Sequence, residues 1–153
     1  MAEKVLIIDD EIHFLKLVES RLKANGYEVI TARDGKEGLE KAKTKMPDLI
    51  LLDIIMPKMD GRETLKRLRQ DEDTKSIPVI MLTVKGEVND IVQSLVHNGA
   101  IDYIVKPFMT FDFLAKIKNA LQAGKEEPPA TFKFLLDNIE QKIRKILKES
   151  REK

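Results

Sequence analysis

Short runs of consecutive apolar residues, each closed by polar or charged ones, alternate along this chain with stretches in which apolar residues return every three or four positions. Val5-Leu-Ile-Ile8 is followed by Asp9-Asp10-Glu11, and Leu49-Ile-Leu-Leu52 by Asp53. Uninterrupted runs of this length predict short strands buried on both faces, as in a parallel sheet. Ile12, Leu15, Val18 and Leu22 recur at helical spacing up to Asn25-Gly26, where glycine supplies a left-handed stop. Tyr27 to Thr31 reads as a second strand, Asp34-Gly35 as a turn or helix cap, and Leu39 and Ala42 as one face of a helix reaching Lys45. Leu65 and Leu68 mark a third helix after Asp60-Gly61, and Ile77 to Thr83 a fourth strand. A fourth helix is expected between Glu87 and Asn98, carrying Val88, Ile91, Val92, Leu95 and Val96. Asp102 to Lys106 is the fifth strand, stopped by Pro107, and Phe111, Leu114, Ile117 and Leu121 give a fifth helix ending near Gly124.

Five strand-helix units in alternation, with short connections, require right-handed crossovers and a parallel sheet covered by helices on both faces. The expected fold is a doubly wound α/β domain over residues 1–123. Residues 124–130 contain paired prolines and read as a stiff linker. Residues 131–153 form an expected amphipathic helix, in which Phe132, Leu136, Ile139, Ile143 and Ile146 alternate at spacings of four and three. Two outcomes stay open for it: pairing with a second copy, or packing on the domain or on a partner. It is too short for a separate DNA-binding or enzymatic domain, so the chain reads either as a stand-alone unit or as a fragment.

Composition narrows the chemistry. Charged residues make up 35% and hydrophobic residues 42% of the 153, the balance of an ordinary globular protein. No apolar run approaches a membrane span, and the N-terminus lacks a signal-peptide layout, so a cytoplasmic protein without membrane contact is expected. There are no cysteines and two histidines, which removes disulfides, thiolate sites and cysteine nucleophiles. His13 and His97 stand apart and read as surface or helix residues. The formal net charge of +1 gives no reason to expect direct contact with nucleic acid.

What remains is a set of strand ends. Asp9 and Asp10 follow the first strand, Asp53 the third, Thr83 the fourth and Lys106 the fifth. In a parallel sheet these ends share one edge, where open α/β sheets bind ligands. Converging carboxylates repel, so a divalent cation or a lysine must compensate, and an oxygen-only acidic pocket suits Mg²⁺. Thr83 and Lys106 add a hydroxyl and a positive charge for an anion. A carboxylate nucleophile, a metal pocket and donors for phosphoryl oxygens are the parts needed to receive a phosphoryl group on Asp53. Taken singly, each residue is as readily a turn, cap or surface residue; their coincidence on one edge is what points to a site.

Residues 4 to 123 resemble the receiver domain of two-component response regulators. The matching motifs are Ile8-Asp9-Asp10-Glu11, Leu52-Asp53-Ile-Ile-Met-Pro57 with Met59-Asp-Gly61, Met81-Leu-Thr83, and Asp102-Tyr103-Ile-Val-Lys106-Pro107-Phe108. The resemblance implies a flavodoxin-like sheet of strand order 2-1-3-4-5. It implies that Asp53 accepts a phosphoryl group from a sensor histidine kinase or phosphotransfer protein. Asp10 would ligate Mg²⁺ directly, Asp9 through water, with Asp53 and the backbone carbonyl of Ile55 completing the set. Thr83 and Lys106 would hold phosphoryl oxygens, Tyr103 would be a rotameric switch, and the Lys106–Pro107 bond would be cis. The fourth helix, fifth strand and fifth helix would then change as a surface for a downstream protein target. Such a regulator catalyses only its own phosphoryl transfer and dephosphorylation.

Some positions depart from the family pattern. Val84 stands where a small residue is usual and narrows access to the phosphoryl group, and Ile55 is apolar and cannot position a water, so slow self-hydrolysis and weak labelling by small phosphodonors are expected. Ile101 replaces an acid common before the fifth strand, and Val88, Ile91 and Val96 widen the apolar face of the fourth helix. That face is either more deeply buried or a docking surface, including one for a homodimer. An aspartyl-nucleophile phosphohydrolase usually carries a second Asp two residues after the first, where this chain has Ile55. An interaction module that never uses phosphate would not need the whole set of acids, Thr83 and Lys106.

Overall fold

The computed structural model describes residues 2–84, 99–106, 110–123, 139 and 141–149. Five strands, β1 (Lys4–Ile8), β2 (Glu28–Ala32), β3 (Leu49–Asp53), β4 (Val79–Val84) and β5 (Asp102–Lys106), pair in the order β2-β1-β3-β4-β5, every pairing parallel. Between and after them run α1 (Ile12–Ala24), α2 (Gly35–Lys45), α3 (Gly61–Gln70) and, following β5, α4 (Thr110–Ala123). This is the doubly wound, flavodoxin-like architecture expected. The strand boundaries shift slightly: the second begins at Glu28 and the fourth at Val79 rather than Ile77. Pro78 has no N–H to give a ladder, though its carbonyl accepts from the Ile50 N–H at 3.0 Å.

The apolar runs divide between two cores because successive side chains on a strand point to opposite faces. Leu6, Ile8, Ile50, Leu52 and Met81 pack with Ala42, Leu65 and Leu68 of α2 and α3. Val5, Ile7, Leu49, Leu51, Ile80, Leu82 and Ile104 pack on the other face with Leu15, Val18 and Leu22 of α1 and Phe113, Ile117 and Leu121 of α4. Covered on both faces, β3 is buried throughout, including Asp53 at its end.

Helix starts are set by side chains at the same sheet edge. Asp34 caps α2 by accepting from the Glu37 N–H at 2.7 Å, and Asp60 caps α3 by accepting from the Glu63 N–H at 3.0 Å. Gly61 lies so close to β3 that a Cβ there would fall 2.0 Å from the Asp53 carbonyl oxygen. Only glycine lets α3 begin against the backbone that carries Asp53.

Residues 141–149 are helical, with Ile146 and Leu147 exposed and Ile143 half-buried. The expected fourth helix, His97, Pro107 and the 124–130 linker lie outside the described residues, as do residues 131–138, 140 and 150–153 of the C-terminal segment. Among the described residues, no helix is long and apolar enough to cross a membrane.

Candidate functional site

At the carboxyl edge of the sheet, β1 runs out into Asp9 and Asp10 and β3 ends in Asp53. Each of these three residues offers a carboxylate oxygen, and the three oxygens lie within 4.8 Å of one another. Asp9 is fully buried and Asp53 nearly so, whereas Asp10 faces solvent. The register of β3, β4 and β5 brings the other strand ends to the same place. Asp53 is level with Leu82, Thr83 with Val105, and Val84 with Lys106, so Thr83 and Lys106 lie just beyond Asp53 along the strand direction. Thr83 is buried.

Lys106 is the counter-charge, and its first partner is Asp9. Its Nζ lies 2.5 Å from Asp9 Oδ2 and 3.6 Å from Asp53 Oδ2. A Lys106–Asp53 pair is therefore present but is the longer of two contacts. Asp9 also accepts from the Glu11 N–H at 3.0 Å, while its own N–H donates to the Ala32 carbonyl at 3.0 Å, so the most buried acid is held from three sides. A single lysine does not offset the field of three carboxylates. Burial, followed by the Asp9 charge, drives the Asp53 carboxyl up to about 7; Lys106 opposes the rise, while a hydrogen bond with Asp9 and the charge of Asp10 add to it.

The chemistry of this donor set fits a hard divalent cation. All three groups are carboxylates, two of them are withdrawn from water, and one stays open to solvent, as a cation that keeps some waters requires. Ile55 lies in the loop leaving β3 and is 61% exposed. Tyr103 is half-buried against the β3-α3 face of the core, and Lys116 of α4 donates to its carbonyl at 2.6 Å while standing 4.8 Å from the centre of its ring. His13 is exposed on α1 and Ile101 is 44% exposed before β5.

The model of the response regulator receiver domain matches residues 5–118. The chain belongs to that family. Receiver domains of two-component response regulators act in general as phosphorylation-dependent signalling switches. Among curated relatives, the receiver is 43% identical over 131 residues to the alkaline phosphatase synthesis transcriptional regulatory protein PhoP of Bacillus subtilis, covering 86% of this chain and 53% of PhoP. It is 42% identical over 127 residues to the DNA-binding dual master transcriptional regulator RpaA of Synechocystis, covering 83% of this chain and 52% of RpaA. The chain thus spans about half the length of these relatives, and their names lend no support to the expectation that nucleic acid is not contacted directly. Among solved structures, the chemotaxis protein CheY4 of Vibrio cholerae superposes with a TM-score of 0.74 at 35% identity, over 78% of this chain and 99% of CheY4. A CheY-like receiver domain protein of Methanospirillum hungatei gives 0.77 at 34% identity, over 84% and 100%.

Two neighbours of the site were not singled out by sequence. Phe14 places its ring centroid 4.1 Å from Lys106 Nζ, and Lys116 grips Tyr103. Phe14 falls just off the Leu15, Val18, Leu22 stripe, where spacing alone does not distinguish an apolar neighbour from an ammonium.

Proposed function

We propose that Asp53 is the phosphoryl acceptor of this receiver, using Mg²⁺ held by Asp10 and Asp53, by Asp9 through water, and by the Ile55 backbone carbonyl. The observation that carries the reading is the convergence of three carboxylates with Lys106 at one sheet edge. Bound there, the cation would neutralise charge on the incoming phosphoryl group. The donor is a sensor histidine kinase or phosphotransfer protein: its N–P bond breaks as the Asp53 O–P bond forms. Lys106 leaves Asp9 for a phosphoryl oxygen, Thr83 donates its hydroxyl to another, and the vacated space lets Tyr103 turn inward. The surface around β5 and the helices beside it then changes for a downstream protein target. Hydrolysis of the acyl phosphate by the receiver itself resets the switch. The receiver spans residues 1–123, with a linker at 124–130 and a helix over 131–153 that offers one route to a homodimer. As in other response regulators, the setting is the cytoplasm.

The test is incubation with histidine kinases, ATP and Mg²⁺. An acid-stable, hydroxylamine-labile phosphate should appear and should be abolished by Asp53→Asn. Phosphate retained by that variant would move the acceptor elsewhere, and no labelling by a broad set of kinases or by acetyl phosphate would favour a module that works without phosphate.

A further inference from the structure

We propose that Phe14 is a positioning residue for Lys106, its ring forming the third wall of the ammonium's seat. The Lys106 Nζ lies 4.1 Å from the Phe14 ring centroid, inside the range at which an aromatic face attracts a cation. The other two walls are Asp9 Oδ2 at 2.5 Å and Asp53 Oδ2 at 3.6 Å. Asp9 accepts a hydrogen bond from the ammonium, Asp53 attracts it as a longer ion pair, and the ring offers a π face. The Lys106 side chain is only 13% exposed, which leaves water a small share in holding it.

The same acid that grips Lys106 also fixes the helix that carries the ring. Asp9 Oδ1 accepts from the N–H of Glu11, the residue preceding α1, and Phe14 sits in the first turn of that helix. Asp9 thus links the seat of Lys106 to the start of the helix that carries the ring. A carboxylate holds an ammonium along a fixed hydrogen-bond direction, whereas a ring face attracts it over a broad area. When a phosphoryl group on Asp53 draws Nζ away from Asp9, the ammonium can slide toward it without leaving the ring. This inference rests on the reading of Lys106 as a ligand of phosphoryl oxygens.

Packing alone would also place an apolar side chain here, since Phe14 borders the core beneath α1. Two variants separate ring from bulk: Phe14→Leu keeps apolar volume and removes the π face, while Phe14→Tyr keeps both. The first readout is the proton shift of the Lys106 Cε methylene, measured by NMR in EDTA without phosphodonor. Ring current should displace it in wild type and Phe14→Tyr and release it in Phe14→Leu. The second is the rate of Asp53 phosphorylation by acetyl phosphate, a small donor that removes any docking contribution of α1. Phe14→Leu should be slower by about three- to tenfold, the worth of a partly desolvated cation–π contact, and Phe14→Tyr should stay within about twofold of wild type. An unchanged Lys106 signal with a wild-type rate in Phe14→Leu, or equal losses in both variants, overturns the proposal while leaving Asp53 as acceptor. If wild type takes up no phosphate on Asp53, the reading of the site fails and the proposal with it.

Discussion

Replacing Asp53 by Asn should stabilise the receiver, and by more as the pH rises. The carboxyl stands at about 7 in the folded chain against an ordinary 3.8, chiefly because it is buried and beside Asp9. Between these values the folded state holds a proton that the unfolded state has released, so ionising Asp53 works against folding. The stability associated with its neutral form is fully present below about pH 3.8 and is lost as the pH rises through about 7. At about 1.4 kcal/mol per pH unit, the gap corresponds to about 4 kcal/mol at pH 8 and to less than half of that at pH 5. Asn has the same shape and no charge to lose. In urea titrations followed by circular dichroism in EDTA, Asp53→Asn should therefore gain on wild type by about 2 to 3 kcal/mol between pH 5 and pH 8. A difference that stays flat across that range, or a variant less stable than wild type at pH 8, would refute an Asp53 carboxyl raised by burial and like charge.

Adding MgCl₂ at pH 8 should recover part of that loss in wild type. At tenfold over the dissociation constant, a ligand specific to the folded state contributes about 1.4 kcal/mol, and thermal melts should show a rise that Asp53→Asn largely lacks. Gly61→Ala should cost about 3 kcal/mol in urea titrations, because its Cβ would meet the Asp53 carbonyl oxygen at 2.0 Å and the backbone must shift to make room. Met46 ends α2 in the left-handed region at φ 48° with its side chain exposed, so Met46→Gly should raise stability by about 0.5 to 1 kcal/mol in the same assay. Ile55→Asn, at a residue 61% exposed, should shorten the acyl-phosphate lifetime by about tenfold by giving water a polar anchor; loss of ³²P label with time checks it.

The sheet was legible because its strands are covered on both faces. Residues such as Leu49 to Leu52 have no solvent-facing position, so the apolar run marks the strand directly, and the acid that closes it marks the edge. Strand starts were less legible. Ile77 is as apolar as Val79, and only the backbone pairing shows that the ladder begins after Pro78. For the site, residue type and position at a strand end sufficed to bring Asp9, Asp10, Asp53, Thr83 and Lys106 together. What sequence could not give was the distribution of Lys106 between two acids, since a difference of 2.5 against 3.6 Å depends on side-chain reach. Nor could spacing identify Phe14, because a helix residue beside the buried stripe looks the same whether it meets another apolar side chain or an ammonium.

The placement of Lys106 explains how the fold carries an acidic pocket at all. Had the lysine paired most closely with Asp53, the fully buried Asp9 would have kept an uncompensated charge, the more costly arrangement because Asp9 has no access to water. Seated nearer Asp9, Lys106 offsets the deeper acid and leaves Asp53 the less compensated one, next to the exposed Asp10. The residual negative charge is thereby concentrated where solvent and a cation can reach it. The same imbalance that raises Asp53 and opposes folding would favour a divalent ion at the pocket, so stability given up by the fold would return as affinity for that cation.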